Sequence, residues 1–428
     1  MIDYKTMQKA ADFIRKNCQA HDWSFSIRSA NHTRTRFAQN GITQHISGDS
    51  NGISLSVAFD AKTGSASVND TSEQGLAYLI ETAETIARRN QPDPEFVVSE
   101  AAKELPVTDN FSEATENLSP ADLVNVVEKC VKNAIAKDAK VSGMTEKDAG
   151  AYSLFTKNGF EGFHKSTSFS HSMTMKKGGV ETKINRSMLD YNDFDVDQII
   201  AKLNTQFDSL TDPKPIEPGK IAVILRPQAV TDWFVYLFWM LDRRSADEGV
   251  SPYSGQLGKK FFGDDFTVKS VLDVPGLSAP PFTGEGLATE NINWIKNGVI
   301  ENMFTTRWYA QKTNSKPNSP FNILIEGGNS TEAEMMKMVP RGVILNNLWY
   351  IRNIDRREGT QTGLTRDGVL YFEDGKIVSS VNNFRWNEIL HDVTRRIIAS
   401  GPSELIENWC KVPTFLVKDF NFVDTTSF

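Results

Sequence analysis

The sequence predicts an α+β protein, with an α/β N-terminal domain over residues 1–212 and a β-rich C-terminal domain over 220–428 that carries one buried apolar helix. Three observations point there. Helical periodicity and strand alternation succeed one another through the first half. A break rich in proline, Thr211-Asp212-Pro213-Lys214-Pro215-Ile216-Glu217-Pro218-Gly219, then rules out a continuing helix or central strand. Beyond it, short apolar runs alternate with Gly/Asn/Asp turns such as Lys296-Asn297-Gly298 and Glu373-Asp374-Gly375-Lys376.

The elements follow in order. Residues 3–20 predict a helix with Met7, Ala10, Ala11, Ile14 and Cys18 on one side. Alternation over 24–38 and 53–68 predicts strands, with Asn40-Gly41, Gly48-Asp49 and Asn51-Gly52 as hairpin or loop signals. Residues 71–89 predict a covering helix striped by Leu76, Leu79, Ile80, Ala83, Ile86 and Ala87, with Thr71 and Gln74 placed as a capping box. The polar segment 90–118, with Pro92 and Pro94, predicts a connection and a possible sub-boundary. Ser119, Pro120 and Asp122 then open a helix over 120–137. Strands are expected over 150–188, where Phe169, His171, Met173 and Met175 alternate, and a helix over 195–210. The turns Phe37-Ala38-Gln39-Asn40-Gly41 and Phe155-Thr156-Lys157-Asn158-Gly159 resemble each other. Asn-Gly turns are common, so two unrelated turns are the expectation rather than an internal repeat. In the second half, a strand over 220–225 precedes a helix over 227–241, and further helices are expected near 330–339 and 386–399. The stretch Trp233–Met240 is apolar on every side of a helical wheel, which predicts a core helix, with a subunit interface or cleft wall as the alternative.

Bulk composition excludes several function classes. Hydrophobic residues make up 39% and charged residues 24% of the chain, and the net charge is -7. Basic and acidic residues are interspersed, without the basic stripe of a nucleic-acid binder, so no nucleic-acid partner is expected. No apolar run approaches the ~20 residues that span a bilayer. The first residues show no apolar signal region, and the three cysteines, Cys18, Cys130 and Cys410, fit no disulfide or CxxC pattern. A cytoplasmic protein is the expectation.

The six histidines show no helical i, i+4 or i, i+5 pair, and His164 and His171 fall on opposite faces of a strand. Ser254 lacks the context of a nucleophile elbow, Cys410 has no neighbouring histidine, Gly284-Glu285-Gly286 and Gly327-Gly328 are not phosphate loops, and Asp264-Asp265 is expected to be a solvated pair.

The second half nevertheless carries a distinctive succession of blocks. Ile221–Leu225 leads into the apolar helix, then Gly249-Val250-Ser251-Pro252-Tyr253-Ser254-Gly255, Gly284-Glu285-Gly286, Ile295–Ile300, Pro320–Gly328 and Thr362-Gly363-Leu364-Thr365-Arg366-Asp367-Gly368. This order resembles the TldD/PmbA metallopeptidase family, once called modulators of DNA gyrase. The resemblance implies a β-barrel-like C-terminal domain. In the family's catalytic branch the helix before the Ser-Pro block carries H-E-x-x-x-H, whose histidines bind zinc and whose glutamate is the base. Here that slot holds Phe234, Val235 and Trp239, which offer no lone pair to a metal. The family's third ligand is a cysteine before glycine, whereas Cys410 precedes Lys411. The resemblance is therefore closest to the zinc-less PmbA/TldE branch. It implies a chain with no catalytic or metal residue of its own, zinc in a TldD-like partner subunit, and an extended peptide as substrate, with a homodimer possible when the partner is absent. Ser251, Tyr253, Gly255, Glu285, Thr362, Gly363 and Arg366 are the family-motif positions expected to line the cleft. For Arg352, Arg366 and Arg385, surface salt bridging is the simpler role. Two alternatives remain: a metal-independent hydrolase using Glu285, Asp367 or Ser254 in the same cleft, and a homo-oligomeric binding or assembly protein.

Overall fold

A computed structural model of the chain describes residues 1–426. Its N-terminal half is one antiparallel sheet of six strands under a layer of helices. The order along the chain is α1 (Tyr4–Asn17), β1 (Asp22–Ala38), β2 (Gly41–Phe59), β3 (Lys62–Val68) and α2 (Glu73–Arg89). The short α3 (Glu113–Glu116) follows, then α4 (Pro120–Ala136), β4 (Lys140–Thr156), β5 (Glu161–Lys177), β6 (Val180–Met188) and α5 (Val196–Asp208). The strands lie in the order β3-β2-β1-β4-β5-β6.

That order is an internal repeat. The unit helix–three strands–helix occurs twice, and the two central strands, β1 and β4, pair antiparallel. Asn31 and Ala149 stand at the same distance before the Phe of their respective turns, and they are each other's partners across this seam. A pseudo-twofold axis therefore passes between them. The expectation of unrelated turns is corrected: both turns join the first two strands of a unit. Each is held by its asparagine, Asn40 bonding Val141 N and Ala139 O at 2.7 and 2.9 Å, and Asn158 bonding Ser99 O at 2.9 Å.

Each unit buries its own core. Met7, Ala10, Ala11 and Ile14 of α1 meet Leu76, Leu79 and Ala83 of α2 above Phe25 and Leu55. Val127, Cys130 and Ala134 of α4 meet Leu203 and Phe207 of α5 above Met173 and Met175. Ser119 and Asp122 form the expected capping box of α4 with Pro120 in its first turn. Three details differ from expectation. The cap of α2 is Ser72 rather than Thr71, and Ile86 faces solvent. The Gly48-Asp49 and Asn51-Gly52 pairs lie inside β2, which runs unbroken because β1 hydrogen-bonds it along this length. The real turn is Asp60-Ala61, both residues at positive φ.

The C-terminal half begins with β7 (Lys220–Leu225). β7 pairs parallel with Arg341–Asp355 and antiparallel with Phe415–Thr426. The latter pairs with Asn383–Ile389, this with Thr360–Glu373, and this back with Arg341–Asp355. Five strands thus close a barrel, and closure removes free edges. A second sheet of six short strands packs beside it. The helix expected over 386–399 is instead the barrel strand Asn383–Ile389 followed by a short helix, Leu390–Arg395. No described helix is long and apolar enough to cross a membrane.

Candidate functional site

After β7 the chain turns into α6 (Pro227–Phe234), with Pro227 at its start. The helix breaks at Val235 and resumes as α7 (Tyr236–Met240). The single, wholly buried helix expected over 227–241 is corrected on both counts. Trp233 is fully buried, packs on Trp386 and Phe420 of the barrel at 4.8 and 5.8 Å, and donates from Nε1 to Gln361 Oε1 at 2.7 Å. Phe234 is 2% exposed and touches Phe266 and Phe415, ring to ring, at 5.7 Å each. Val235 is half-buried, and Trp239 is 70% exposed, its ring 4.9 Å from Tyr236.

The three slot residues therefore do not converge. One side chain points into an aromatic core and another into solvent. A zinc ion needs three or four N, O or S donors at ~2.0–2.3 Å about one point. The residues present do not fit one, and among the described residues no group of three or more His, Cys, Asp or Glu is placed to hold a metal.

The other motif positions divide. Ser251 Oγ donates to Met240 O at 2.7 Å and accepts from Tyr253 N at 3.1 Å, tying the Ser-Pro block to the end of α7. Tyr253 is fully buried with its hydroxyl unpartnered, beside the His391 ring at 5.8 Å, and burial holds its phenol above its usual value. Gly255 takes φ +68°, the left-handed turn geometry glycine favours. Thr362 and Gly363 lie on the barrel wall. The Thr362 hydroxyl is buried and unpartnered, and a Cβ at Gly363 would stand 2.4 Å from the Trp386 ring, so the barrel closes only over glycine there. Arg366 is on the surface, its guanidinium 4.3 Å over the Trp349 ring and its Nε 3.8 Å from Asp367 Oδ1, so it pairs with a carboxylate as expected. Glu285 is exposed and lines a separate crevice of about 340 Å³ with Asp22 and Arg307. Ser254 Oγ is satisfied by Ser251 O at 2.6 Å, and Asp367 lies buried within the strand Thr360–Glu373, at φ +59° where the pairing register shifts. Ser254, Glu285 and Asp367 thus occupy different neighbourhoods.

Behind α6 lies a polar cluster that sequence reasoning missed. Asp232 accepts from Gln228 Nε2 and Leu348 N, each at 2.9 Å. Burial pushes its carboxyl up to about 6. Glu407, from the hairpin before the last barrel strand, is pushed up to about 7, first by burial and then by Asp232, against the pull of Arg186 and Lys183 on β6. Cys410 Sγ lies 3.6 Å from Thr231 Oγ1 of α6, and burial raises its thiol to about 12, which keeps it protonated. These groups come from α6, β6 and residues 404–412, so spacing in the chain gives no hint of them. A carboxyl that titrates near neutrality is suited to proton exchange, but no activated nucleophile stands beside it.

His171 serves structure. It bonds Thr145 Oγ1 at 2.9 Å under the helices, while His164 lies on the opposite face of β5.

Comparison with known proteins agrees with this architecture. Residues 218–424 match the PmbA/TldA metallopeptidase C-terminal domain, and residues 23–87 match PmbA/TldA metallopeptidase domain 1. The chain is 24% identical to metalloprotease PmbA of Escherichia coli over 385 residues, which covers 84% of this chain and 83% of that protein. TldE of Thermococcus kodakarensis superposes with a TM-score of 0.88 at 17% identity over 98% of this chain and all (100%) of that one. A putative modulator of DNA gyrase from Bacteroides thetaiotaomicron gives a TM-score of 0.88 at 20% identity, over 99% and 100% of the two chains. The fold and the matched domains define a metallopeptidase-type protein built from a two-unit helix–sheet layer and a closed barrel. The chain belongs to the PmbA/TldD family.

Proposed function

We propose that this chain is the non-hydrolytic, peptide-holding subunit of a two-subunit metallopeptidase, with zinc and hydrolysis in a TldD-like partner. One observation carries the reading: within a metallopeptidase-family fold, the helix that bears the metal motif in the catalytic branch presents Phe234 to a ring-filled core and Trp239 to solvent. A water-activating zinc site needs imidazole and carboxylate donors where these stand. The likeness to TldE supports the assignment at the level of fold. An extended peptide is the substrate class that strand edges and an uncovered sheet face suit, by strand addition.

A second reading, a homo-oligomeric binding protein, is favoured by the exposed Trp239 beside Tyr236, which forms an interface-like surface equally suited to a second copy. A metal-independent hydrolase finds no support in the separate surroundings of Ser254, Glu285 and Asp367. The test is metal analysis and peptidase assay of the purified chain, alone and after mixing with the TldD-like protein of the same cell. The expected result is sub-stoichiometric zinc and no turnover alone, with turnover on mixing. Stoichiometric zinc together with activity in the isolated chain would overturn the assignment.

A further inference from the structure

Between the two halves lies a cavity of about 630 Å³, within the size range of ligand sites. Its floor is the uncovered face of the N-terminal sheet, and its opposite wall comes from the C-terminal half. Three floor residues stand in one row across the sheet: Arg28 of β1 is the register partner of Tyr152 of β4, and Tyr152 is the partner of His164 of β5.

The Arg28 guanidinium lies 5.4 Å over the Tyr152 ring. Among the described residues no carboxylate pairs with it and no acceptor bonds it. His164 is wedged against Tyr152 and against Phe282 of the C-terminal half, with ring centroids 5.8 and 5.4 Å away. Its Nδ1 is buried and has no partner. Burial holds His164 below the usual imidazole value, so near neutral pH the ring is uncharged and carries one N–H. Phe282 also stacks on Tyr152 at 5.7 Å, and Pro320 extends the apolar wall.

An unpaired cation and an unsatisfied ring nitrogen in one row, walled by aromatic rings, ask for an anionic acceptor attached to an apolar group. The charge pattern gives a direction. Arg28 is the one cation among the lining residues and Asp148 the one acid. Asp148 lies four residues from Tyr152 along β4, ~13 Å away at strand rise, and sits 4.0 Å from Arg34. A chain with its carboxylate at Arg28 can run toward Asp148 without meeting a like charge at the row.

We propose that the Arg28–Tyr152–His164 row binds the C-terminal carboxylate of a peptide whose last side chain is apolar and packs on Phe282. The inference rests on the peptide-holding reading above and names the end of the peptide that this chain grips. A planar guanidinium matches a carboxylate two-pronged, and the row leaves its fork free.

The test uses the full chain and an N-terminally labelled peptide ending in Ala-Leu-Phe, as free acid and as amide, with binding read by fluorescence anisotropy. The acid is expected to bind about tenfold or more tightly than the amide, the gap a charge-assisted pair gives. Arg28→Ala should abolish that gap, and Arg28→Lys should restore part of it. Arg28 is exposed, so an unchanged Tm shows that the variant is folded. N-acetylphenylalanine should compete, whereas its amide and inorganic phosphate should not. Equal affinity for acid and amide, a gap that survives Arg28→Ala, phosphate competing as well as the amino acid, or no binding of either peptide would each overturn the site. These outcomes are separable from failure of the subunit assignment, which turns on zinc content: a zinc-loaded, active chain could still discriminate acid from amide.

Discussion

Burial and the Asp232 carboxylate raise the cost of ionising Glu407, and the cations facing it only partly offset that cost. The groups acting on Glu407 are Asp232 on α6 and Arg186 and Lys183 on β6, with burial the largest effect. Its folded value of about 7 lies above the ordinary 4.5. The native state therefore holds the proton more tightly than the unfolded chain. The favourable contribution is fully present below pH 4.5 and is lost as pH rises through about 7. Glu407→Gln keeps the shape and removes the ionisation. Its melting temperature should equal that of the wild type at pH 4.5 and exceed it at pH 8, by about 1–2 °C if ~1–2 kcal/mol is recovered, since an unfolding entropy of ~2.1 cal/mol/K per residue gives ~1 °C per kcal/mol for a chain of 428 residues. A Tm difference independent of pH would show that Glu407 is already ionised at low pH, contrary to its surroundings.

At the scale of elements, the repeated unit is held together at its turns. Gln39 and Asn40 both take positive φ, and the Asn40 side chain reaches across the seam to Val141 N and Ala139 O. Asn40→Ala puts a Cβ residue without a local hydrogen bond in the left-handed region and removes both cross-unit bonds. The expected loss is ~2 kcal/mol, at ~1 kcal/mol per hydrogen bond, measured by urea unfolding with an unchanged m-value; a loss below ~0.5 kcal/mol would mean the turn does not join the units. Much at this scale is legible in the sequence. The capping box at Ser119 and Asp122 and the alternation Phe169–Met175 are local signals with local causes. Where the reading fails, long-range pairing has won. Gly48 and Gly52 read as breaks, but β1 supplies a partner at each position. Arg385, Trp386 and Asn387 fit a helix locally, yet strands on both sides bond them and Trp386 must meet Trp233. The burial of Phe234 was legible because an apolar helical stretch is a local pattern. The Arg28–His164 row and the Asp232–Glu407 cluster were not, because residues far apart in the chain meet there.

For the whole molecule, the decisive contrast lies along one broken helix. Phe234 is part of the core that joins α6 to the barrel, whereas Trp239, beyond the break at Val235, contributes almost nothing to it. An exposed tryptophan is costly to present to water and is a frequent anchor of protein interfaces. Nearby, Tyr236 bonds toward Ile351 O at 3.4 Å, and Tyr350, 52% exposed, lies under the Arg352 guanidinium at 4.5 Å. Aromatic and arginine side chains are the types enriched at binding anchors. Trp239→Ala should therefore leave stability within ~0.5 kcal/mol of the wild type, while weakening association with the TldD-like subunit, or with a second copy, by ~2 kcal/mol or more, about thirtyfold. Phe234→Ala should do the reverse at the level of cause, costing ~3–5 kcal/mol of fold stability through the cavity it leaves and losing association only as the fold is lost. Sedimentation of each variant, alone and with the partner, alongside thermal unfolding, separates the two. If Trp239→Ala assembles with unchanged affinity, the exposed end of the helix is not an assembly surface.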